Sequence, residues 1–243
     1  MDLTQGYALD EVGELIPPGL SRHVYDWNCL MGETRPSWLQ EPKSDGTSAS
    51  VGVSHNSVAH APTNPGYFLI NTGSAVDGVA RLATVGIPMS QYAAIMFQVS
   101  GLQLSNTNAA ADSLDATFSF GVHSITPTST GNAGARVLQR NTDPHARFSL
   151  PGVSGDRGEF GASFRTLREQ YRFRNVGFLL YRTGQCVVFE DDPANPVATL
   201  DAAGVMQSGV VCGAVMMQTK TATNLALRLA GVRLTLWREP ETL

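Results

Sequence analysis

The sequence carries little charge for its length. Only 16% of its 243 residues are Asp, Glu, Lys or Arg, whereas soluble globular proteins average roughly a quarter. The net charge is −4, and no run of Lys and Arg is interleaved with aromatic residues, as it would be on a basic nucleic-acid-binding surface. We therefore expect no nucleic-acid partner and a surface covered largely by uncharged polar groups.

Long apolar runs are missing as well. No stretch reaches the ~18 apolar residues that a membrane span needs, and residues 1–6 lack the basic-then-apolar pattern of a secretory signal. The three cysteines, Cys29, Cys186 and Cys212, are widely separated, and the five histidines match no zinc spacing. We expect no membrane partner, no cofactor, synthesis in a cytoplasm, and reduced thiols, with Cys186 and Cys212 buried among valines.

Helical periodicity is almost absent from residues 67–238, where short β-rich runs alternate with turn residues. The run Ala116–His123 predicts a strand with Phe118 and Phe120 facing a core and with Thr117, Ser119 and His123 facing out. The runs Val176–Tyr181 and Cys186–Glu190 flank a short glycine-containing loop and predict a hairpin. The expected core includes Phe118, Phe120, Phe178, Val188, Leu227 and Leu234.

The last predicted strand contains a change of phase. Leu225, Leu227 and Leu229 share one face, whereas Val232, Leu234 and Leu236 share the face of opposite parity. An extra residue near Ala230–Gly231 would keep both groups in the core, so we predict a β-bulge there.

The first 65 residues differ from the rest of the chain. Proline and glycine interrupt every candidate element, yet the segment carries large apolar side chains that a disordered tail would not hold. We interpret residues 1–65 as an extended, irregular arm that lies on its own sandwich or on a neighbouring subunit, and residues 66–243 as the sandwich domain. The residues expected to contact a partner are Tyr25, Trp27, Trp38 and Leu39.

The order of these strands resembles the concanavalin A-like (laminin-G-like) jelly-roll sandwich, in the version common in bacteriophage virion proteins. The matching segments are residues 66–73 with residues 79–82, residues 118–121, and the hairpin over residues 175–190. The resemblance implies an all-β, antiparallel β-sandwich. It also implies a non-enzymatic virion structural protein, such as a capsid decoration, head fibre or tail component. Its partners would be further copies of itself in a homo-oligomer such as a trimer, and the major capsid protein.

Two other functions stay open on the sequence: a carbohydrate-binding, lectin-like module and, less favoured, a glycoside hydrolase. A hydrolase needs two carboxylates that flank the sugar bond; Glu190 and Asp192 have the right spacing but begin a proline-rich turn. The same loop, with Asn195, offers oxygen ligands that calcium prefers, although a solvated hairpin end is the preferred interpretation. Trp237 is expected to face out beside Leu236 and is the candidate for stacking on a glycan, with contact to the arm as the alternative.

Overall fold

In the computed structural model the chain folds as a β-sandwich. The structure describes residues 8–9, 15–16, 20–28, 35–44, 52–54, 67–106, 116–124, 134–139, 147–149, 157–159, 174–191, 196–201, 209–222 and 224–238. Their strands are β1 (Ala8–Leu9), β2 (Leu15–Ile16), β3 (Ser21–Asn28), β4 (Lys43–Ser44), β5 (Gly52–Ser54), β6 (Tyr67–Asn71), β7 (Val79–Ala83), β8 (Ile87–Pro88), β9 (Ala94–Asn106), β10 (Ala116–His123), β11 (Gly134–Gln139), β12 (Arg147–Ser149), β13 (Arg157–Glu159), β14 (Arg174–Tyr181), β15 (Gln185–Glu190), β16 (Pro196–Asp201), β17 (Val210–Thr219), β18 (Leu225–Leu229) and β19 (Gly231–Arg238). A short 3-10 helix spans Met89–Gln91.

These strands form two large sheets and a separate pair, β1 with β2. The first sheet has eight strands in the order β13-β12-β11-β10-β17-β7-β4, with β8 beside β17. The second has nine strands in the order β16-β15-β14-β9-β18-β6-β5, with β19 beside β9 and β3 beside β19. Neighbouring strands run antiparallel in both sheets. The prediction of an all-β, antiparallel sandwich is confirmed.

A single large hydrophobic core fills the space between the two sheets. Phe120 of β10 contacts two rings of the opposite sheet, with centroid distances of 5.6 Å to Phe97 and 6.4 Å to Phe178. Close packing of apolar side chains from both layers is the main stabilising contribution of such a core. The prediction of core residues is confirmed for every member, since all are buried: Phe118, Phe120, Phe178, Val188, Leu227 and Leu234.

The predicted hairpin over residues 175–190 is confirmed. β14 and β15 pair in register, and the turn between them closes where the N–H of Gly184 donates to the carbonyl of Tyr181 over 2.8 Å. Gly184 has a φ of 100°, which glycine adopts without the steric cost that a Cβ would add. The sequence signal for this hairpin therefore came from the residue that the turn geometry requires.

The phase change near Ala230 is present, but the two paired strands share it. Ser100 pairs with Gly231, and Gln103 pairs with Arg228. Two residues lie between these positions on each strand. On β9 the change falls at Gly101, which has a φ of 60°. The prediction of an extra residue on one strand alone is therefore wrong. The side chains of β9 switch faces at the same place as those of the strands it pairs with, so the pairing keeps its register.

Three described parts of the predicted N-terminal arm belong to the sandwich: β3, residues 35–44, and β5, which pairs with β6. β3 pairs with β19 at each of its eight positions. Residues 35–44 run beside β7, where Leu39 forms a bridge with Thr84 and β4 pairs with β7. The interpretation of residues 1–65 as an irregular arm is wrong for these three segments, because their backbone groups extend the two sheets by hydrogen bonding.

The outer faces of the sandwich are also buried in part. On the nine-stranded sheet, seven side chains form a second apolar cluster against which Leu20 packs: Ala94, Met96, Leu179, Tyr181, Val187, Phe189 and Trp237. On the eight-stranded sheet, Thr117, Ser119 and His123 lie opposite the core face, as expected, but they are buried. Strand alternation thus predicted which way these side chains face and missed that the outer face is covered.

Candidate functional site

Tyr25 and Trp38 form an aromatic pair at the surface. Their ring centroids are 6.1 Å apart and their planes are inclined at 50°. Tyr25 is 40% exposed, and Trp38 is half-buried against the margin of the core. Both rings combine an apolar body with a polar group, a composition suited to a partly wet binding surface. We refer to these two residues as the Tyr25–Trp38 pair.

Alternation along β3 positions the first member of the pair. Successive side chains of a strand point to opposite faces, and Trp27 reaches the core from the face that looks toward the other sheet. Tyr25 therefore projects from the same face, two residues closer to the start of the strand. Its greater exposure places it at the rim of the space between the sheets.

The second member is held by its neighbours in residues 35–40. Leu39 is buried, its N–H donates to the Pro36 carbonyl over 3.1 Å, and the N–H of Gln40 donates to Ala83 over 2.9 Å. The Trp38 carbonyl accepts from the N–H of Val85, itself 40% exposed, over 2.8 Å. Because the Trp38 carbonyl and the two residues that follow it are anchored, the indole is presented from a fixed backbone.

Polar side chains lie next to Trp38 in the chain. The Arg35 guanidinium donates to the Leu39 carbonyl and forms an ion pair with Glu41, with 2.5 Å between Nη2 and Oε2. The side chain of Glu41 is 77% exposed, and the Gln40 amide donates to the Thr84 carbonyl over 2.7 Å. Glu41 therefore carries an exposed carboxylate three residues after Trp38 in the chain, and ligand sites combine such polar groups with apolar faces.

Two residues predicted to contact a partner are part of the chain's own core. Trp27 is 2% exposed and packs edge-on against Phe68, with ring centroids 5.1 Å apart, and Leu39 is 1% exposed. The prediction is wrong for these two, because β3 and residues 35–40 pair with the sheets and turn both side chains inward. Tyr25 and Trp38 remain accessible, so for them the prediction stays open.

Trp237 was expected to face solvent as a candidate for glycan stacking, and this is wrong. It does lie on the face opposite Leu236, but its side chain is 0% exposed. It belongs to the apolar cluster on the outside of the nine-stranded sheet, together with Tyr181 and Phe189. A ligand cannot reach a ring that neighbouring side chains cover, so Trp237 is a packing residue.

A polar cluster lies buried on the outer face of the eight-stranded sheet. β10 and β17 contribute Ser119, His123 and Cys212, and the adjoining strands contribute Arg136 and Arg81. Ser119 Oγ lies 3.5 Å from His123 Nε2. Burial, aided by the charges of Arg136 and Arg81, lowers the pKa of His123 to about 3.

The same environment keeps the neighbouring thiol protonated. Burial raises the pKa of Cys212 to about 12, against an opposing effect of Arg81. A thiol is nucleophilic as the thiolate, and a nucleophilic serine needs an accessible carbonyl to attack. A covered, protonated Cys212 and a covered Ser119 offer neither, so we assign no chemistry to this cluster. Cys186 and Cys212 are both buried, as expected.

The acidic loop after β15 is described only up to Asp191. Asp191 is exposed, has a φ of 57°, and its carboxylate accepts a hydrogen bond from the Asn175 amide over 3.0 Å. Within the described ranges, no three His, Cys, Asp or Glu side chains lie together as metal ligands would. Asp192 and Asn195 lie outside those ranges, so the candidate carboxylate pair and calcium site stay predictions.

No helix in the described part of the chain is long and apolar enough to span a membrane.

Comparisons with known proteins identify the fold. No family model matches the sequence, and neither does any curated protein. Among solved structures, the Emp47p carbohydrate recognition domain matches 86% of this chain and 94% of its own, with a TM-score of 0.56 and 10% identity. The basic winged bean lectin with Tn-antigen matches 89% and 98%, with a TM-score of 0.54 and 12% identity. Peanut lectin with a nine-residue peptide matches 89% and 97%, with a TM-score of 0.52 and 10% identity.

The chain therefore has the concanavalin A-like sandwich fold that these lectins share.

Sequence reasoning found Tyr25 and Trp38 as large apolar residues in an interrupted segment, which is a signal of burial or contact. It missed their proximity to each other and to Val85, because that depends on β3 and residues 35–40 reaching neighbouring edges of the two sheets. It also missed the exposed Glu41 carboxylate, for which the sequence carries no distinguishing signal.

Proposed function

We propose that this protein binds carbohydrate, without catalysis, at the Tyr25–Trp38 pair. The observation that supports the proposal is the pair itself: two adjacent, partly exposed aromatic rings, 6.1 Å apart, on a sandwich of lectin type. A sugar ring presents an apolar C–H face on which such rings stack, and burying an aromatic side chain contributes about 1.5–3 kcal/mol. Two rings therefore suit a low-affinity, reversible contact.

The solved structures add support through their fold. Emp47p is represented by its carbohydrate recognition domain, and the winged bean lectin was solved with Tn-antigen. At 10–12% identity these likenesses extend to the fold alone. The proposal for this chain accordingly rests on its own aromatic pair and on the polar groups beside it.

Those polar groups favour a neutral glycan over an acidic one. The exposed Glu41 carboxylate can accept hydrogen bonds from sugar hydroxyl groups, and its partner Arg35 is less exposed, at 31% against 77%. A carboxylate or sulfate on the ligand would meet the charge of Glu41, and like charges in proximity are unfavourable. We therefore expect neutral hexose-containing oligosaccharides to be preferred.

A glycan array probed with the full chain tests the proposal. Trp38→Ala and Tyr25→Ala should each reduce binding at least tenfold, which corresponds to a loss of about 1.4 kcal/mol, while Trp38→Phe should retain part of it. The control is Val76→Ala, because Val76 is 60% exposed and lies in the turn before β7, outside the pair. Circular dichroism establishes that each variant keeps its β-sheet content.

The array separates the proposal from its alternatives. If no neutral glycan binds, or if binding survives both aromatic substitutions, the proposal is wrong. Any oligosaccharide that does bind on the array is incubated with the protein, and the reducing ends in the solution are assayed. An increase in reducing ends would make the protein a glycoside hydrolase.

A virion structural role is the second candidate function. It is favoured by the low proportion of charged residues, 16%, and by the run of exposed residues Ser21–Asp26 in β3, both of which suit packing against neighbouring subunits. In this candidate the protein is made in the host cytoplasm and joins a particle through itself and partners such as the major capsid protein. Mass spectrometry of purified particles tests it, and absence of the chain from them would contradict it.

A further inference from the structure

An exposed apolar surface continues from the Tyr25–Trp38 pair onto the eight-stranded sheet. Leu39 forms an antiparallel bridge with Thr84, and the N–H of Val85 donates to the Trp38 carbonyl over 2.8 Å. Trp38 and Val85 therefore lie opposite each other, where cross-strand Cβ atoms are about 4.5–5.5 Å apart. Val85 is 40% exposed, so its methyl groups extend the accessible apolar surface beyond the indole.

Val210 extends this surface on the neighbouring strand. It is 57% exposed and pairs with Pro88, which is half-buried. Its Cγ1 atom lies 2.6 Å from the place that a Cβ of Gly86 would occupy, so the Val210 side chain lies against the exposed glycine that follows Val85. We refer to Val85, Gly86, Pro88 and Val210 as the valine strip.

The polar groups where the strip meets Trp38 already have partners. The Val85 N–H is bound to Trp38, and the Val85 carbonyl accepts from the Thr84 hydroxyl over 2.9 Å. The Thr84 carbonyl accepts from the Gln40 amide over 2.7 Å. A sugar hydroxyl placed here would lose water without gaining an equivalent partner, which is unfavourable, whereas an alkyl group gains from burial. The strip therefore suits an apolar group better than a second sugar ring.

We propose that the valine strip is a subsite for an apolar substituent of the glycan, so that the preferred ligands are neutral sugars that carry an alkyl or acyl group. This inference rests on the proposed function, because the sugar bound at the Tyr25–Trp38 pair positions the substituent. The strip begins directly opposite Trp38, so a group linked to a sugar stacked on the indole reaches it. Because the strip is small and open to solvent, the sugar is the anchor and the substituent adds affinity.

Calorimetric titration of the full chain with the methyl and hexyl β-glucosides and β-galactosides tests the subsite. Each buried CH₂ group strengthens binding about fourfold. Burial of two of them should make at least one hexyl glycoside bind roughly tenfold or more tighter than its methyl counterpart, and tighter than hexanol. The proposal is wrong if neither hexyl glycoside has this advantage, or if hexanol binds as tightly as they do.

Serine substitutions locate the subsite. Val85→Ser and Val210→Ser should each reduce the advantage of the hexyl glycoside by roughly threefold or more and leave the affinity for the methyl glycoside unchanged. Val76→Ser is the matched control, because Val76 is a 60% exposed valine outside the strip, and it should keep the full advantage. An advantage that survives in the double variant Val85→Ser, Val210→Ser would overturn the proposal. Circular dichroism checks that each variant is folded.

The subsite and the proposed function fail in different ways. Trp38→Ala should weaken the binding of the methyl and the hexyl glycosides alike, because it removes the stacking surface for the sugar. If array glycans bind through the Tyr25–Trp38 pair but the alkyl chain adds no affinity, the subsite is wrong and the glycan site stands. If no glycan binds, the proposed function is wrong, and the subsite with it.

Discussion

Replacing Trp27 by alanine tests whether β3 is an integral part of the sandwich. The side chain is 2% exposed and packs edge-on against Phe68 at 5.1 Å. Removing a fully buried tryptophan typically costs about 3–5 kcal/mol. The edge-to-face contact contributes about 0.5–1.5 kcal/mol beyond area burial. We therefore expect a loss near the upper part of that range.

The loss is measured by urea unfolding followed by circular dichroism, at one fixed protein concentration. Val24→Ala is the control: its residue lies on the same strand but is 37% exposed, so its effect should stay within about 0.5 kcal/mol. A loss below ~1 kcal/mol for Trp27→Ala would mean that β3 contributes little to the core, and the account of the N-terminal segment would fail.

Two further predictions concern buried positions. His123→Asn should flatten the pH dependence of stability. The folded pKa of His123 is lowered to about 3 from 6.5, so the parent loses about 1–2 kcal/mol of stability as pH falls from 6.5 to 5. Val76→Ala, at an exposed position without a titratable group, should keep the parental slope. An unchanged slope in His123→Asn would contradict the burial of a neutral imidazole. Gly177→Ala should destabilise by about 1–3 kcal/mol, because its Cβ would lie 2.0 Å from the buried ring of Phe189. In a Phe189→Ala background the same substitution should cost less, and unfolding curves that give an equal cost in both backgrounds would contradict the contact.

Strand alternation and turn chemistry explain why the central fold could be predicted from sequence. Phe118 and Phe120 are separated by one residue, and Gly184 marks a turn that requires positive φ. The N-terminal segment could not be assigned in the same way, because β3 pairs with β19, the last strand among the described residues. Pairing over that sequence separation leaves no local signal, so Trp27 could be recognised as apolar but not as a core residue.

The candidate site shows the same limit. Tyr25 and Trp38 come together only because β3 extends one sheet and residues 35–40 run beside the other. For Trp237, alternation correctly gave the face opposite Leu236, but burial on that face depends on an outer apolar cluster that alternation does not reveal. A period of two residues distinguishes two faces of a sheet and does not report which of them is covered.

Tryptophan fluorescence during glycan titration tests the central claim most directly. The chain has three tryptophans; Trp27 and Trp237 are 2% and 0% exposed, so Trp38 is the one that a soluble quencher reaches most readily. We predict that a glycan selected on the array changes the emission and protects it from quenching, and that Trp38→Phe abolishes both effects. A glycan that binds while the fluorescence of Trp38 and its quenching stay unchanged would contradict the claim that the Tyr25–Trp38 pair is the binding site.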